Sequence, residues 1–237
     1  METITTRLAC RSDLPGIVRV HRLSFPNFLM SLLGPRFLYA YYSTVLDYHK
    51  SIALVAVTSK DDDPLGFVVG FVNPNRFYSL LKERKFLLIF SACKHLLFRT
   101  HLWPRVYRSY CRSIVLANDP NYNHKVAELA SIGVHSSYSG QGVGKLLLEH
   151  FIREAKKMGA HRVQLTTDAK DNDYVNRFYR NAGFQILRTF EKEPGRKMHE
   201  YCYTMHAGGR SKMSNRAFRK DFLSFSPPLI GEEAIAE

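Results

Sequence analysis

Cysteine is scarce and scattered in this chain of 237 residues. Cys10, Cys93, Cys111 and Cys202 form no C-x-x-C pair, which argues against a disulfide scaffold or a zinc framework and fits a reducing compartment. No metal is expected. Acidic residues are also few. The chain has 21 Asp and Glu against 34 Lys and Arg, a net charge of +13, so it favours anionic partners: polyphosphates, sugar nucleotides, acidic lipid or nucleic acid. No apolar run reaches the ~20 residues that a membrane-spanning helix needs. The opening stretch METITTRLACRSDLPGIV lacks the apolar core of a signal peptide. A cytoplasmic protein is therefore expected, touching the inner membrane face at most peripherally. No internal repeat is visible. What is present is enough for a buried core, with 45% apolar and 13% aromatic residues.

The first segment, ITTRLACRSDLPGIVRVHRLSF, reads as a strand and then a helix capped near Ser12 or Asp13. A second helical pattern, FLMSLLGPRFLYAYYSTVLDYHK, breaks at Gly34-Pro35. SIALVAVTS and LGFVVGFVN form a hairpin joined by the polar KDDDP. From Arg76 to Arg112 the pattern is helical, rich in Phe, Leu and Tyr, with nine Lys or Arg and one Glu. Then come a strand in VAELASIGVH, a helix from Val143 to about Met158, a strand in HRVQLTTD and a short helix in DYVNRFYRNAG closed by Gly183. Leu146, Leu147, Phe151, Ile152 and Ala155 share a face of the helix from Val143. FQILRTF and KMHEYCYTM close the pattern as a hairpin around EPGR. Two hairpins flanking β-α-β units predict an α/β (α+β) fold. Its mixed, partly antiparallel central sheet is flanked by helices, with a basic helical insert between the third and fourth strands. Residues 1–206, including the insert at 76–115, are expected to form one domain, and 207–237 a flexible tail.

The stretch VHSSYSGQGVGKLLLEH (134–150) places a glycine-rich turn between a strand and a helix, and such a turn presents backbone N–H groups to an anion. It is not a P-loop: Ser139 stands at the first glycine of G-x-x-x-x-G-K-[ST], and Leu146 at the metal-binding hydroxyl. The dinucleotide fingerprint G-x-G-x-x-G fits better, since Gly140 and Gly142 supply two glycines and Asp168 lies about 20 residues on. Lys145 occupies the third glycine position, however, and one small helix and a hairpin are too little to complete a mononucleotide-binding half.

SGQGVGKLL, together with Asn172, Phe178-Tyr179 and Gly183-Phe184, resembles the Gcn5-related N-acetyltransferase (GNAT) family. The specific motifs lie between Glu128 and Phe184, and the order of elements agrees over residues 3–205. The resemblance implies acetyl-CoA as cosubstrate, held by Ser139, Gly140, Gln141, Gly142, Val143, Gly144 and Lys145 around its pyrophosphate. Ser139 departs from the family's Arg or Gln there, which leaves the backbone amides and the helix dipole as the main contacts. It further implies that Ile132 and Val134 lie on a splayed strand, with the Val134 N–H donating to the thioester oxygen. Asn172 would bond the pantetheine arm or cap the following helix. Tyr179 would be the general acid for the leaving thiolate. Glu128, placed by two-residue alternation on the face of Val134, is the candidate base; Asp168 and His135 are weaker candidates.

The insert admits three readings: a pair of helices over the acceptor site, an interfacial helix on anionic lipid, or a packed subdomain with a basic rim. No nucleic-acid recognition module accompanies its charge. The insert, FPNFLMSLLGPRFLYAYY, TTDAKDNDYVNRFYRNAGF and GRKMHEYCY together resemble a GNAT subgroup associated with bacterial surface-polysaccharide synthesis, which implies an amino-sugar acceptor, free or nucleotide-linked. A protein N-terminal or lysine amine, and a non-catalytic CoA-binding or membrane-docking module, stand beside it.

Overall fold

The computed structural model describes residues 3–119, 123–193 and 195–205, so the expected tail at 207–237 lies outside the described residues. Seven strands form one sheet in the order β1-β2-β3-β4-β5-β7-β6. They are β1 (Ile4–Leu8), β2 (Ser51–Thr58), β3 (Gly66–Val72), β4 (Val126–Val134), β5 (Arg162–Asp168), β6 (Gln185–Glu193) and β7 (Arg196–Thr204). Only the β4–β5 pair is parallel. The sheet is thus mixed and largely antiparallel, as the two hairpins predict.

β2 and β3 are buried almost throughout and read as continuous apolar runs, because helices cover both faces of the sheet. On one face α7 (Val143–Lys157) packs Leu147, Phe151 and Ala155 against Leu54, Val68 and Ala127. On the other, α1 (Leu14–Ser24) and α3 (Pro35–Asp47) pack Ile17, Leu38 and Tyr42 against Val55 and Phe67. The break at Gly34-Pro35 is real, with the short α2 (Leu29–Leu32) before it. The α7 face differs from the expected one at its edges: Leu147, Phe151 and Ala155 are buried as expected, and Val143 and Leu148 join them. Its stripe runs Val143, Leu147, Phe151, Ala155 at four-residue spacing, with Leu148 beside it, and leaves Leu146 and Ile152 on the flank. Val143 already touches the core in the first turn, and that sets the axis of the stripe.

The insert consists of three helices: α4 (Pro74–Glu83), α5 (Lys85–Phe98) and α6 (Trp103–Asn118). A non-helical residue at Arg84 parts the first two, and Pro104 stands in the first turn of the third.

β4 carries the main irregularity. Against β3 its register runs Val69↔Ser131 and then Gly70↔Leu129, so Ala130 is an extra residue, a β-bulge. Gly70 faces it at close range: a Cβ there would lie 2.0 Å from the Glu128 carbonyl oxygen. The bulge reverses the alternation along β4. Ala127 and Leu129 share the α7 face with Ile132 and Val134, whereas Ala130 packs with the α1/α3 cluster. The alternation that put Glu128 on the face of Val134 is therefore corrected: the Glu128 side chain lies on the opposite face, with Tyr78 of α4.

Candidate active site

β4 and β5 part company early. Their pairing runs from Val126↔Arg162 to Glu128↔Gln164 and stops there, while β5 continues to pair with β7 as far as Asp168. The His135 N–H donates to Leu65 O at 2.8 Å, so strand alternation turns the N–H groups of Ile132 and Val134 away from β3, into the gap that β5 has left. Ser24 Oγ donates to Val134 O at 3.3 Å and ties the end of α1 to this strand.

The glycine turn continues from there. Gly140 (φ 77°) and Gly142 (φ 83°) adopt left-handed backbone, and a Cβ on either would meet nothing within 4 Å, so conformation and not crowding requires glycine. Leu146 N–H is the first in α7 to bond back, to Gly142 O at 3.0 Å. The N–H groups of Gly140, Gly142, Val143, Gly144 and Lys145 therefore bond to no described residue. They form an amide cradle at the positive end of a helix dipole, which suits a pyrophosphate. Ser139 is exposed, and Gln141 donates to Ser137 O at 3.1 Å. Lys145 lies 3.9 Å from Glu149 with its side chain 75% exposed, free to swing over the cradle. A Cβ on Gly144 would sit 3.8 Å from Phe178 and 3.9 Å from Val134, which shows that the turn, the end of β4 and α8 (Asp173–Asn181) converge.

On α8 the Tyr179 ring is buried against Phe184 and Tyr201, and its hydroxyl bonds to no described residue. Burial raises its pKa, so it remains a proton donor. Asn172 stands at the N-cap of α8 without capping it through its side chain. Its amide instead donates to Thr167 Oγ1 (2.8 Å) and Asp168 O (3.1 Å), bracing the end of β5. Asp168 is engaged as well, accepting two bonds from Arg196 at 2.7 and 2.9 Å. His135 Nδ1 accepts from Ser137 N–H.

Glu128 stands at the apex of the split, on the insert side. Tyr78 donates to its Oε1 at 2.7 Å, while Oε2 is buried without a partner among the described residues. Burial pushes the carboxyl up to about 7; the Tyr78 bond and Arg112 pull it down, and Glu200 pushes it up. Beside it in register, Gln164 is 1% exposed, and neither its Oε1 nor its Nε2 finds a partner. Side chains from distant segments meet on this side. Arg112 of α6 lies over the Phe190 ring at 5.1 Å, Arg105 faces Glu193 at 3.6 Å, and Arg196 lies over Phe28 at 5.3 Å. Sequence reasoning missed Tyr78, Gln164 and Arg112, and no local motif marks them.

The mixed sheet with its flanking helices is shared with solved acetyltransferases of the GNAT family. Residues 106–184 match the model of the acetyltransferase (GNAT) family. Among solved structures, the ribosomal-protein-S18-alanine N-acetyltransferase from Escherichia coli is 14% identical, with a TM-score of 0.54 over 90% of this chain and 100% of that one. An acetyltransferase of the GNAT family from Streptococcus pneumoniae is 16% identical, with a TM-score of 0.53 over 86% and 100%. NAA60 of Arabidopsis thaliana, solved with a bisubstrate analogue, is 17% identical, with a TM-score of 0.54 over 85% and 98%. No curated protein sequence matches the chain. The family model thus covers about a third of the chain, and the solved structures share its fold.

Proposed function

We propose that the chain moves the acetyl group of acetyl-CoA directly to the primary amine of a small polar acceptor, within a ternary complex. The observation that carries this reading is the position of Glu128 at the apex of the parted strands. The unpaired amides of β4 point in the plane of the sheet into the gap between the strands, the glycine turn lies on the α7 side at the start of that helix, and Glu128 Oε2 and Gln164 lie on the other. Acetyl-CoA would enter from the first side, its pyrophosphate on the amides of Gly140 and Gly142 to Lys145, with Ser139 and Gln141 at the rim and Asn172 near the pantetheine arm. The Val134 N–H, with Ile132 N–H beside it, would polarise the thioester carbonyl. Glu128 would take the ammonium proton of the acceptor, directly or through water. The neutral amine would then attack the carbonyl carbon, the carbon–sulfur bond would break, and Tyr179 would protonate the CoA thiolate.

The buried, unpartnered atoms of Glu128 and Gln164 favour an acceptor rich in hydroxyl groups, because they offer hydrogen bonds that the protein itself leaves unmade. The basic Arg112 of the insert, which faces Glu128, favours an anionic one. A nucleotide-linked amino sugar, as in surface-polysaccharide synthesis, meets both conditions, and a free amino sugar meets the first. The likeness in fold to the S18-alanine N-acetyltransferase favours a second reading, a peptide N-terminal amine.

The test is CoA release from acetyl-CoA with a panel of free and nucleotide-linked amino sugars, polyamines and basic peptides, using wild type and Tyr179→Phe. Turnover on an amino sugar is expected to fall at least about tenfold in the variant, ~1.4 kcal/mol in the transition state. Its melting temperature should hold, because the lost hydroxyl bonds to no described residue. Turnover confined to peptides would replace the acceptor, and unchanged turnover in Tyr179→Phe would remove the acid.

A further inference from the structure

The insert carries an exposed surface that the proposed chemistry does not use. On α5, Phe86, Phe90 and Leu97 follow one another at helical spacing and face solvent with Phe98, and Phe90 and Phe98 are each 82% exposed. The start of α6 extends the same chemistry with Trp103 (59% exposed) and Tyr107 (69% exposed). The Trp103 Nε1–H donates to Leu96 O at 3.1 Å, which fixes the corner between the two helices. Proteins that work alone in water seldom leave so many large apolar side chains contiguous.

The charges among them are all of one sign. Lys94, Arg99 and Arg108 are exposed and join no ion pair among the described residues, whereas Arg84 and Arg105 of the insert pair with Asp47 and Glu193. Two grooves flank α5 towards its C-terminal end. One, of about 450 Å³, is walled by Phe90, Leu97, Phe98 and Pro35. The other, of about 550 Å³, carries Arg22, Arg99 and His95 and shares His95 and Pro35 with the first.

We infer that this α5–α6 face is a docking surface for an anionic phospholipid membrane. Its apolar residues enter the headgroup–acyl boundary, and Lys94, Arg99 and Arg108 meet the lipid phosphates. The pattern is an apolar face rimmed by cations, with Trp and Tyr at its edge, as interfacial segments require. No helix among the described residues is long and apolar enough to cross a bilayer, so the contact lies in the plane of the surface. A second copy of the chain fits less well. Isologous pairing of this face would bring its unpaired cations near their own copies without an acidic partner.

The test is co-flotation of the full chain with phosphatidylcholine vesicles prepared with and without phosphatidylglycerol, alongside light scattering of the protein alone. Wild type should be monomeric and float only with the anionic vesicles, and added salt should release it. Lys94→Glu should weaken binding by about fivefold or more, since each basic residue at an anionic surface contributes roughly 1 kcal/mol. Phe90→Glu with Phe98→Glu should abolish it. Both sites are exposed and lie outside the acetyl-transfer machinery, so the melting temperature and the shift on adding acetyl-CoA should stay as in wild type. Equal flotation with neutral vesicles, or binding that survives the Phe90/Phe98 variant, would overturn the inference. So would a wild-type dimer that this variant dissociates, which would assign the face to a second copy, or flotation that appears only when residues 206–237 are removed.

Discussion

Glu128 shows how one residue's chemistry follows from its surroundings. Its carboxylate has given up water for a single hydrogen bond from Tyr78, and burial lifts its pKa to about 7. A base acts in its deprotonated form, so kcat/KM should rise with pH through a limb near 7 and level off above it. Initial rates measured from pH 5.5 to 9 check this, and Glu128→Gln should lower activity and remove the limb. A limb that survives in Glu128→Gln would belong to the acceptor amine. The same shift acts on stability with the opposite sign. Between 4.5 and about 7 the native carboxyl holds a proton that the unfolded one has released, so this group's contribution falls as pH rises through that window. Tyr179 is the simpler case: a buried ring fixes its position, and an unbonded hydroxyl leaves its proton available. Both residues are present in the sequence as candidates. Gln164 is not, because an isolated glutamine in a strand has nothing to distinguish it until burial strips it of partners.

At the scale of elements, the glycine turn was fully legible. Gly140 and Gly142 hold left-handed backbone that a side chain disfavours, and the free amides follow from how any helix begins. Gly142→Ala should cost about 1–2 kcal/mol in the unfolding free energy, because the strain is in the backbone and the site has room for the methyl group. It should also raise the KM for acetyl-CoA much more than it lowers kcat, since the cradle would hold a part of the cosubstrate remote from the reacting carbon. Steady-state kinetics with varied acetyl-CoA and thermal denaturation check both effects. The bulge in β4 was not legible. VAELASIGV alternates too loosely to reveal an extra residue, and only the approach of Gly70 to the Glu128 carbonyl marks where it must fall. Misreading it put Glu128 on the wrong face of the sheet.

For the whole molecule, the face opposite α7 buries a polar pair, His21 and Tyr42, among aromatic rings. His21 of α1 contacts the Tyr42 hydroxyl of α3 at 2.6 Å, and both rings pack around Phe67 of β3. His21 is 3% exposed, its Nε2 has no partner, and burial lowers its pKa from 6.5 to about 4. Between those two values the unfolded chain binds a proton that the native one refuses. Stability from this residue is therefore complete above about 6.5 and is lost as pH falls towards 4, by up to about 3 kcal/mol. Denaturation curves across that range should show His21→Gln losing less stability than wild type on acidification, even though the variant is less stable at neutral pH. An identical slope for both proteins would place the acid sensitivity elsewhere.

The sequence by itself determined the periods of strand and helix, the breaks at Gly34-Pro35 and Gly183, the hairpins and the amide cradle. Each of these depends on neighbours within a turn or two, where backbone sterics and local hydrogen bonding decide the outcome. Tertiary structure alone decided that β5 leaves β4 at Glu128, that Tyr78 and Gln164 gather there, and that α5 keeps its aromatic face in solvent. Those outcomes depend on which distant segments pair and which are left without a partner, and a linear pattern of apolar and polar residues does not carry that information.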